Sequence, residues 1–258
     1  MPPGWIDYPE RMADSRETRA RASETKFLIA PSLADDVRRW ARSNLDADPH
    51  GDGAFADEYL TSSLYFDTPK FDVLQRNGSY GRAKYRVRRY SGGDSVFLER
   101  KLRRPRLVAK RRTRVSLEEV AHLAEPDVPA DWTGAWFLRR LRARSLQPTC
   151  QVSYHRTARG VLDDGGPARL TLDDSITACA VDGPAFLEGL GVAIAEPRLI
   201  LELKYRGDLP TVFKRFIAEF ALSPQATSKY RFGMAALGHA VQPRVSNADE
   251  PKESGVHA

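Results

Sequence analysis

The sequence predicts one large β-rich domain of the α+β class, and three observations predict it. Between Glu24 and Tyr205, short segments alternate apolar and polar residues with the period of two that a half-buried strand requires. Turn residues such as Gly92-Gly93 and Pro105 separate several of them, as in an antiparallel meander. Length agrees: 258 residues is long for one domain, yet closed β-sheets commonly organise about 200 to 250 residues.

Taken in order, Glu24 to Ala30 reads as the first strand. Ser32 with Asp35 reads as the cap of a helix that places Leu33, Val37, Trp40 and Leu45 on one side. Four strands follow at Tyr59 to Asp67, Tyr80 to Tyr90, Ser95 to Lys101 and Leu107 to Val115. Ser116 with Glu119 forms a second capping signature. Trp136, Phe137, Leu141 and Leu146 have helical spacing, so two helices are expected between residues 116 and 146. Strands resume at Cys150 to Arg159, Arg169 to Asp173 and Leu199 to Tyr205. A helix then carries Val212, Phe213, Phe216, Ile217 and Phe220 as core residues, and a short helix begins near Ser228. Residues 1–21 and 241–258 are polar and rich in Pro, Asp, Glu and Ser, so they are expected to be a flexible N-terminus and a disordered tail around a domain at 22–240.

Composition narrows the function classes. Forty Lys and Arg against 34 Asp and Glu leave a net charge of +6, which favours polyanionic partners. No apolar run has the length of a signal peptide or membrane span, so a soluble chain is expected. Cys150 and Cys179 lack metal-ligand spacing and are expected to be buried thiols in a reducing cytoplasm. The histidines at 50, 122, 155, 239 and 257 are scattered and read as surface or core residues.

The chemistry lies in the polar faces of the strands. Lys84, Arg86, Arg88 and Tyr90 share one face, as do Phe97, Glu99 and Lys101, and then Lys110, Arg112 and Arg114. Downstream, Tyr154 aligns with Arg156, Arg169 with Thr171 and Asp173, and Glu202 with Lys204. One such face would ordinarily look at water. Six strands that each present a basic residue, interleaved with Glu24, Glu99 and Glu202, instead match what a closed polar tunnel needs: cations for phosphate oxygens and carboxylates for a hard divalent ion.

An ordered set of short motifs now stands out: Glu24-Thr-Lys26, Ser-Leu-Tyr-Phe-Asp at 63–67, Lys84-Tyr-Arg-Val-Arg-Arg-Tyr90, Phe97-Leu-Glu-Arg-Lys101, Ser153-Tyr-His-Arg156, Leu201-Glu-Leu-Lys204 and Ser228-Lys-Tyr230. Over about residues 23 to 238 this set resembles the VTC domain, the polyphosphate polymerase domain of the CYTH-like triphosphate tunnel superfamily. The resemblance implies an antiparallel β-barrel open as a tunnel with peripheral helices, binding ATP and inorganic polyphosphate or triphosphate with Mn²⁺ or Mg²⁺. Matched residue by residue, it implies catalytic roles for Arg86, Arg88, Lys101 and Arg156. Lys26, Lys110, Tyr154, Lys204, Ser228 and Lys229 are implied as phosphate ligands. Glu202 is the implied metal carboxylate, while Glu24 and Glu99 read as metal ligands or as counter-charges to neighbouring lysines. Ala226 stands where matching polymerases carry an additional lysine.

The resemblance implies a polyphosphate polymerase that transfers the γ-phosphoryl of ATP to a growing chain. Two alternatives are a CYTH-type triphosphatase and a non-catalytic polyphosphate or nucleic-acid binding module. Small CYTH hydrolases tend to open with Glu-x-Glu-x-Lys, of which Glu24-Thr-Lys26 is the second half. Aromatic residues mostly fall on the apolar faces, which argues against nucleic acid as the main ligand.

Overall fold

The computed structural model describes residues 18–20, 22–49, 51–91, 93–104, 107–163, 166–189, 191–195 and 197–240. The loose ends expected at 1–21 and 241–258 lie outside them, apart from Thr18–Ala20, which form a short strand, β1. The other strands are β2 (Ala22–Ile29), β3 (Asp46–Ala47), β4 (Glu58–Asp67), β5 (Ala83–Tyr90), β6 (Ser95–Arg104), β7 (Leu107–Ser116), β8 (Gln147–Asp163), β9 (Gly166–Ala180), β10 (Val192–Ala193) and β11 (Leu199–Arg206). The helices are α1 (Ala34–Asn44), α2 (Asp72–Gln75), α3 (Ala135–Arg142), α4 (Thr211–Glu219) and α5 (Lys229–Ala236).

The strands form one antiparallel sheet in the order β1-β7-β6-β5-β4-β8-β9-β11-β2, with β3 and β10 added at its side. Among the described residues no hydrogen bonding between its end strands closes this path. Its ends, β1 and β2, are nevertheless consecutive pieces of one stretch of chain, so residues 18–29 pair first with β7 and then with β11. The result is a barrel-like wall with a seam that the chain itself spans.

Alternation along the strands divides the side chains between two environments. Phe27, Leu170, Leu172, Leu201 and Leu203 point outward and are buried under α1 and α4 by Val37, Ala41, Phe213 and Phe216. Burying each phenylalanine contributes about 1.5–3 kcal/mol. Leu64, Val87, Val96 and Leu98 likewise meet Trp136, Phe137 and Leu141 of α3 in a second core. The polar alternates on the same strands face inward.

Three local expectations change. Ser32 does not cap α1: Pro31–Leu33 form a 3₁₀ turn and Leu33 is the N-cap, because proline fixes the backbone at the entry and starts the tighter turn. Of the two helices expected between residues 116 and 146, the first is a 3₁₀ helix, Glu118–Leu123. It keeps the reciprocal cap, with Ser116 N donating to Glu119 Oε2 at 2.6 Å and Glu119 N to Ser116 Oγ at 3.2 Å. Cys150 is buried, but Cys179 is only half-buried. Among the described histidines, His155 is exposed, His122 pairs with Glu125 and His239 packs at a tilt against Phe71; His50 and His257 lie outside the described residues.

Candidate active site

Hydrogen bonding places α5 and hence the residues at its N-terminus. Asp67, fully buried at the end of β4, accepts from the backbone of Thr68, Val73 and Leu74 at 2.7–2.8 Å and so pins α2. It also accepts from Tyr230 Oη at 2.5 Å, while the Tyr230 ring lies 5.2 Å from that of Tyr65. Gly233 brings α5 close to Ala178 and Val152. Val152 pairs with Ser63, whose hydroxyl accepts from Arg88, so these contacts lie on the inner face of the wall. The helix is thereby seated at one end of the barrel with Ser228 and Lys229 directed inward.

Glu202 is the centre of one charge cluster. In register with Lys26 across β2 and β11, it lies 2.8 Å from Lys26 Nζ and 3.3 Å from Lys229 Nζ through Oε1, and 3.2 Å from Lys204 Nζ through Oε2. Burial opposes its charge, but Lys229, Lys204, Lys26 and Arg156 outweigh that and hold the carboxyl well below the usual range. Lys26 Nζ is also 2.8 Å from Glu24, and Glu24 reaches Lys101 Nζ on β6 at 2.8 Å, joining two strands that do not pair. Asp173 binds Arg156 through both oxygens, at 2.6 and 2.8 Å, and accepts from Lys229. Lys229 therefore links Asp173 to Glu202.

A second cluster lines β5, β6 and β7. Glu99 takes Arg86 at 2.5 Å and Arg112 at 3.2 Å. Burial disfavours its charge, and Arg86, Arg88 and Arg112 more than restore it, leaving the carboxyl far below its ordinary value. Arg88 donates to Ser63 Oγ at 3.1 Å, and Lys84 Nζ donates to Ser228 Oγ at 2.8 Å. Between the clusters, the buried hydroxyls of Tyr154, Thr61 and Thr171 find no hydrogen-bond partner among the described residues, leaving donors and acceptors for a polar ligand. Arg156 and Lys229 lie 5.2 and 4.8 Å from the centre of the Tyr154 ring.

The structure therefore brings Lys26, Arg86, Arg88, Lys101, Tyr154, Arg156, Lys204, Ser228 and Lys229 to the inner wall together with Glu24, Glu99 and Glu202. Lys110 pairs in register with Lys101 but is exposed, so it stands at the rim. Tyr90 packs edge-on against Tyr59 and Phe97 and accepts from Arg112. Sequence reasoning placed Asp173 on the polar face without a role; alternation showed its direction, but only strand register reveals Arg156 as its partner. Thr61 is recognised as an inward residue only once its pairing with Tyr154 is seen.

Comparison with known proteins agrees with this architecture. The VTC domain family model matches residues 21–238. A candidate adenylate cyclase from Bacillus halodurans superposes with a TM-score of 0.50 at 16% identity, covering 81% of this chain and 95% of that one. PH1819 from Pyrococcus horikoshii OT3 does so with a TM-score of 0.47 at 13% identity, over 84% and 99%. The Hippeastrum protein HpAC1, described as having a dominant triphosphatase activity, gives 0.43 at 12%, over 84% and 96%. No curated protein sequence matches the chain. With the family model spanning nearly all of the described fold, the chain belongs to the VTC domain family and has the CYTH-like triphosphate tunnel fold.

Proposed function

We propose that this protein is an ATP:polyphosphate phosphotransferase acting inside the barrel. The observation that carries the reading is the convergence of Arg86, Arg88, Lys101, Arg156, Lys26, Lys204 and Lys229 from β2, β5, β6, β8, β11 and α5 on one inward face. Phosphoryl transfer needs in-line positioning and neutralisation of spreading charge more than it needs a side-chain nucleophile. A terminal oxygen of the growing chain forms the new bond to the γ-phosphorus of ATP, the bond to the β,γ-bridging oxygen breaks, and ADP leaves with that oxygen. Arg86, Arg88, Lys101 and Arg156 hold the non-bridging oxygens, with Lys26, Lys110, Tyr154, Lys204, Ser228 and Lys229 gripping flanking phosphates.

The donor set suits Mg²⁺ or Mn²⁺ in the manner of such ions in phosphotransferases, where one or two carboxylates act with substrate phosphates. Among the described residues no group of three or more His, Cys, Asp or Glu could hold an ion alone. Glu202 and Glu24 both face Lys26 at 2.8 Å, a position already adapted to a cation between carboxylates. These two residues would hold the ion, which supplies charge neutralisation at the phosphates. Glu99, between Arg86 and Arg112, serves as their counter-charge.

Incubation with ATP and Mn²⁺, read by a gel for long polyphosphate and an assay for free phosphate, tests the reading. Long chains from the parent, sharply reduced in Lys101→Ala, are expected. Free phosphate alone would identify a triphosphatase, and binding without turnover a non-catalytic module. Ala22, two residues before Glu24, removes the first carboxylate of the hydrolase-type opening, which favours the polymerase. Among the described residues no helix is long and apolar enough to cross a membrane, and Cys150 and Cys179 as thiols suit a reducing compartment such as the cytoplasm.

A further inference from the structure

Lys84 differs from most of the cations on the inner wall. Lys26, Arg86, Lys101, Arg156, Lys204 and Lys229 each face a carboxylate. Among the described residues Lys84 has none, and its ammonium donates instead to the hydroxyl of Ser228 at 2.8 Å. Ser228 caps α5, accepting from Arg231 N, and sits two residues after Ala226. Lys84 is directly opposite Lys101 in the β5–β6 register, and Lys101 is opposite Lys110 in turn.

We propose that Lys84 is a further phosphate ligand, which grips the polyanion jointly with Ser228. The proposal rests on the tunnel reading above. A half-buried ammonium on the inner wall whose partner is a neutral hydroxyl and not a carboxylate is a site prepared for an anion that is not part of the protein. From β2 it faces Lys26, from β5 Arg86, from β6 Lys101, and from the end of α2 Arg76; Ser228 of α5 is neutral, and Glu24 is already shared between Lys26 and Lys101. Burial first, and then these four cations, push the Lys84 ammonium down to about 7. An arriving phosphate reverses the field that keeps the proton off.

Isothermal titration with inorganic tripolyphosphate at pH 8, in two buffers of different ionisation enthalpy, separates affinity from proton uptake. Wild-type protein should take up roughly 0.5–1 proton per site more than Lys84→Arg, whose guanidinium is already charged. Lys84→Gln should bind at least roughly tenfold more weakly, while Lys84→Arg should stay within about threefold. Equal affinity in wild type and Lys84→Gln would overturn the assignment, as would equal proton uptake in wild type and Lys84→Arg. Failure of the wild-type chain to bind tripolyphosphate would instead overturn the tunnel reading itself, so the two failures are distinguishable. Should Lys84→Gln not fold, Lys84→Arg alone decides through its proton count.

Discussion

Arg156 and Lys101 both bear on phosphate chemistry in our reading, yet their surroundings make them very different subjects for mutation. Arg156 is 4% exposed and bound through two hydrogen bonds to the wholly buried Asp173, which among the described residues would keep Lys229 as its charged partner if Arg156 were lost. Arg156→Ala is therefore expected to cost about 3 kcal/mol of stability, because it takes the two-point partner from a buried carboxylate and leaves it a single lysine. Urea unfolding followed by circular dichroism measures this directly, and a loss below about 1 kcal/mol would contradict the buried pair. Lys101 is 44% exposed and shares Glu24 with Lys26. Lys101→Ala should leave the unfolding free energy within about 1 kcal/mol of wild type while still weakening tripolyphosphate binding. Of the two, only Lys101 separates chemistry from folding, and an activity loss in Arg156→Ala has no meaning until the folded fraction is known.

At the level of elements, the seat of α5 controls where Lys229 and Ser228 lie. A Cβ at Gly233 would stand 3.1 Å from Ala178 Cβ and 3.2 Å from Val152 Cγ2, so alanine asks for a shift of a few tenths of an ångström, whereas leucine cannot fit without moving the helix. Gly233→Leu should destabilise by about 1–3 kcal/mol and weaken tripolyphosphate binding, with Gly233→Ala milder in both. Titration of the two variants side by side checks that order. The capping pair at Ser116 and Glu119 offers the opposite case: Ser116→Ala should cost about 1 kcal/mol in thermal unfolding and leave ligand affinity unchanged. That cap was readable in the sequence because its partners lie three positions apart, and the inward stripes of β5, β6 and β11 were readable because alternation is local. The partners were not. Lys84 with Ser228, Lys101 with Glu24 and Arg156 with Asp173 join residues 144, 77 and 17 positions apart. Shifts of register at Tyr65/Phe66 and at Ser153/His155 break simple counting along β4, β8 and β9. The seam at β1 and β2 was hidden for a related reason, since nothing local announces that one stretch of chain pairs with two different strands.

For the whole molecule, a barrel lined with opposed charges makes stability a function of pH. Glu24, Glu99, Asp173 and Glu202 are all disfavoured as charges by burial, and all are held below ordinary values because the lumen cations outweigh it. In the unfolded chain they titrate near about 4. Between that value and their depressed folded values the unfolded state binds more protons, so their contribution is complete above about pH 5 and disappears as pH falls. Lys84 acts in another window with the same sign. Its folded value of about 7 lies below the ordinary lysine value of 10.5, so the unfolded chain binds the extra proton between the two and stability rises with pH there. Urea midpoints from about pH 3 to 8.5, below the range in which the raised thiol of Cys150 opposes the trend, should therefore climb steeply to about pH 5, level off, and climb again above about pH 7. Glu99→Gln should make the acid limb shallower, since Glu24, Asp173 and Glu202 remain, and Lys84→Met should flatten the alkaline one, each leaving the other limb intact, because the two groups titrate in separate windows. A single variant that removed both limbs would mean that the pH dependence arises from net charge over the whole surface and not from the inward-facing groups.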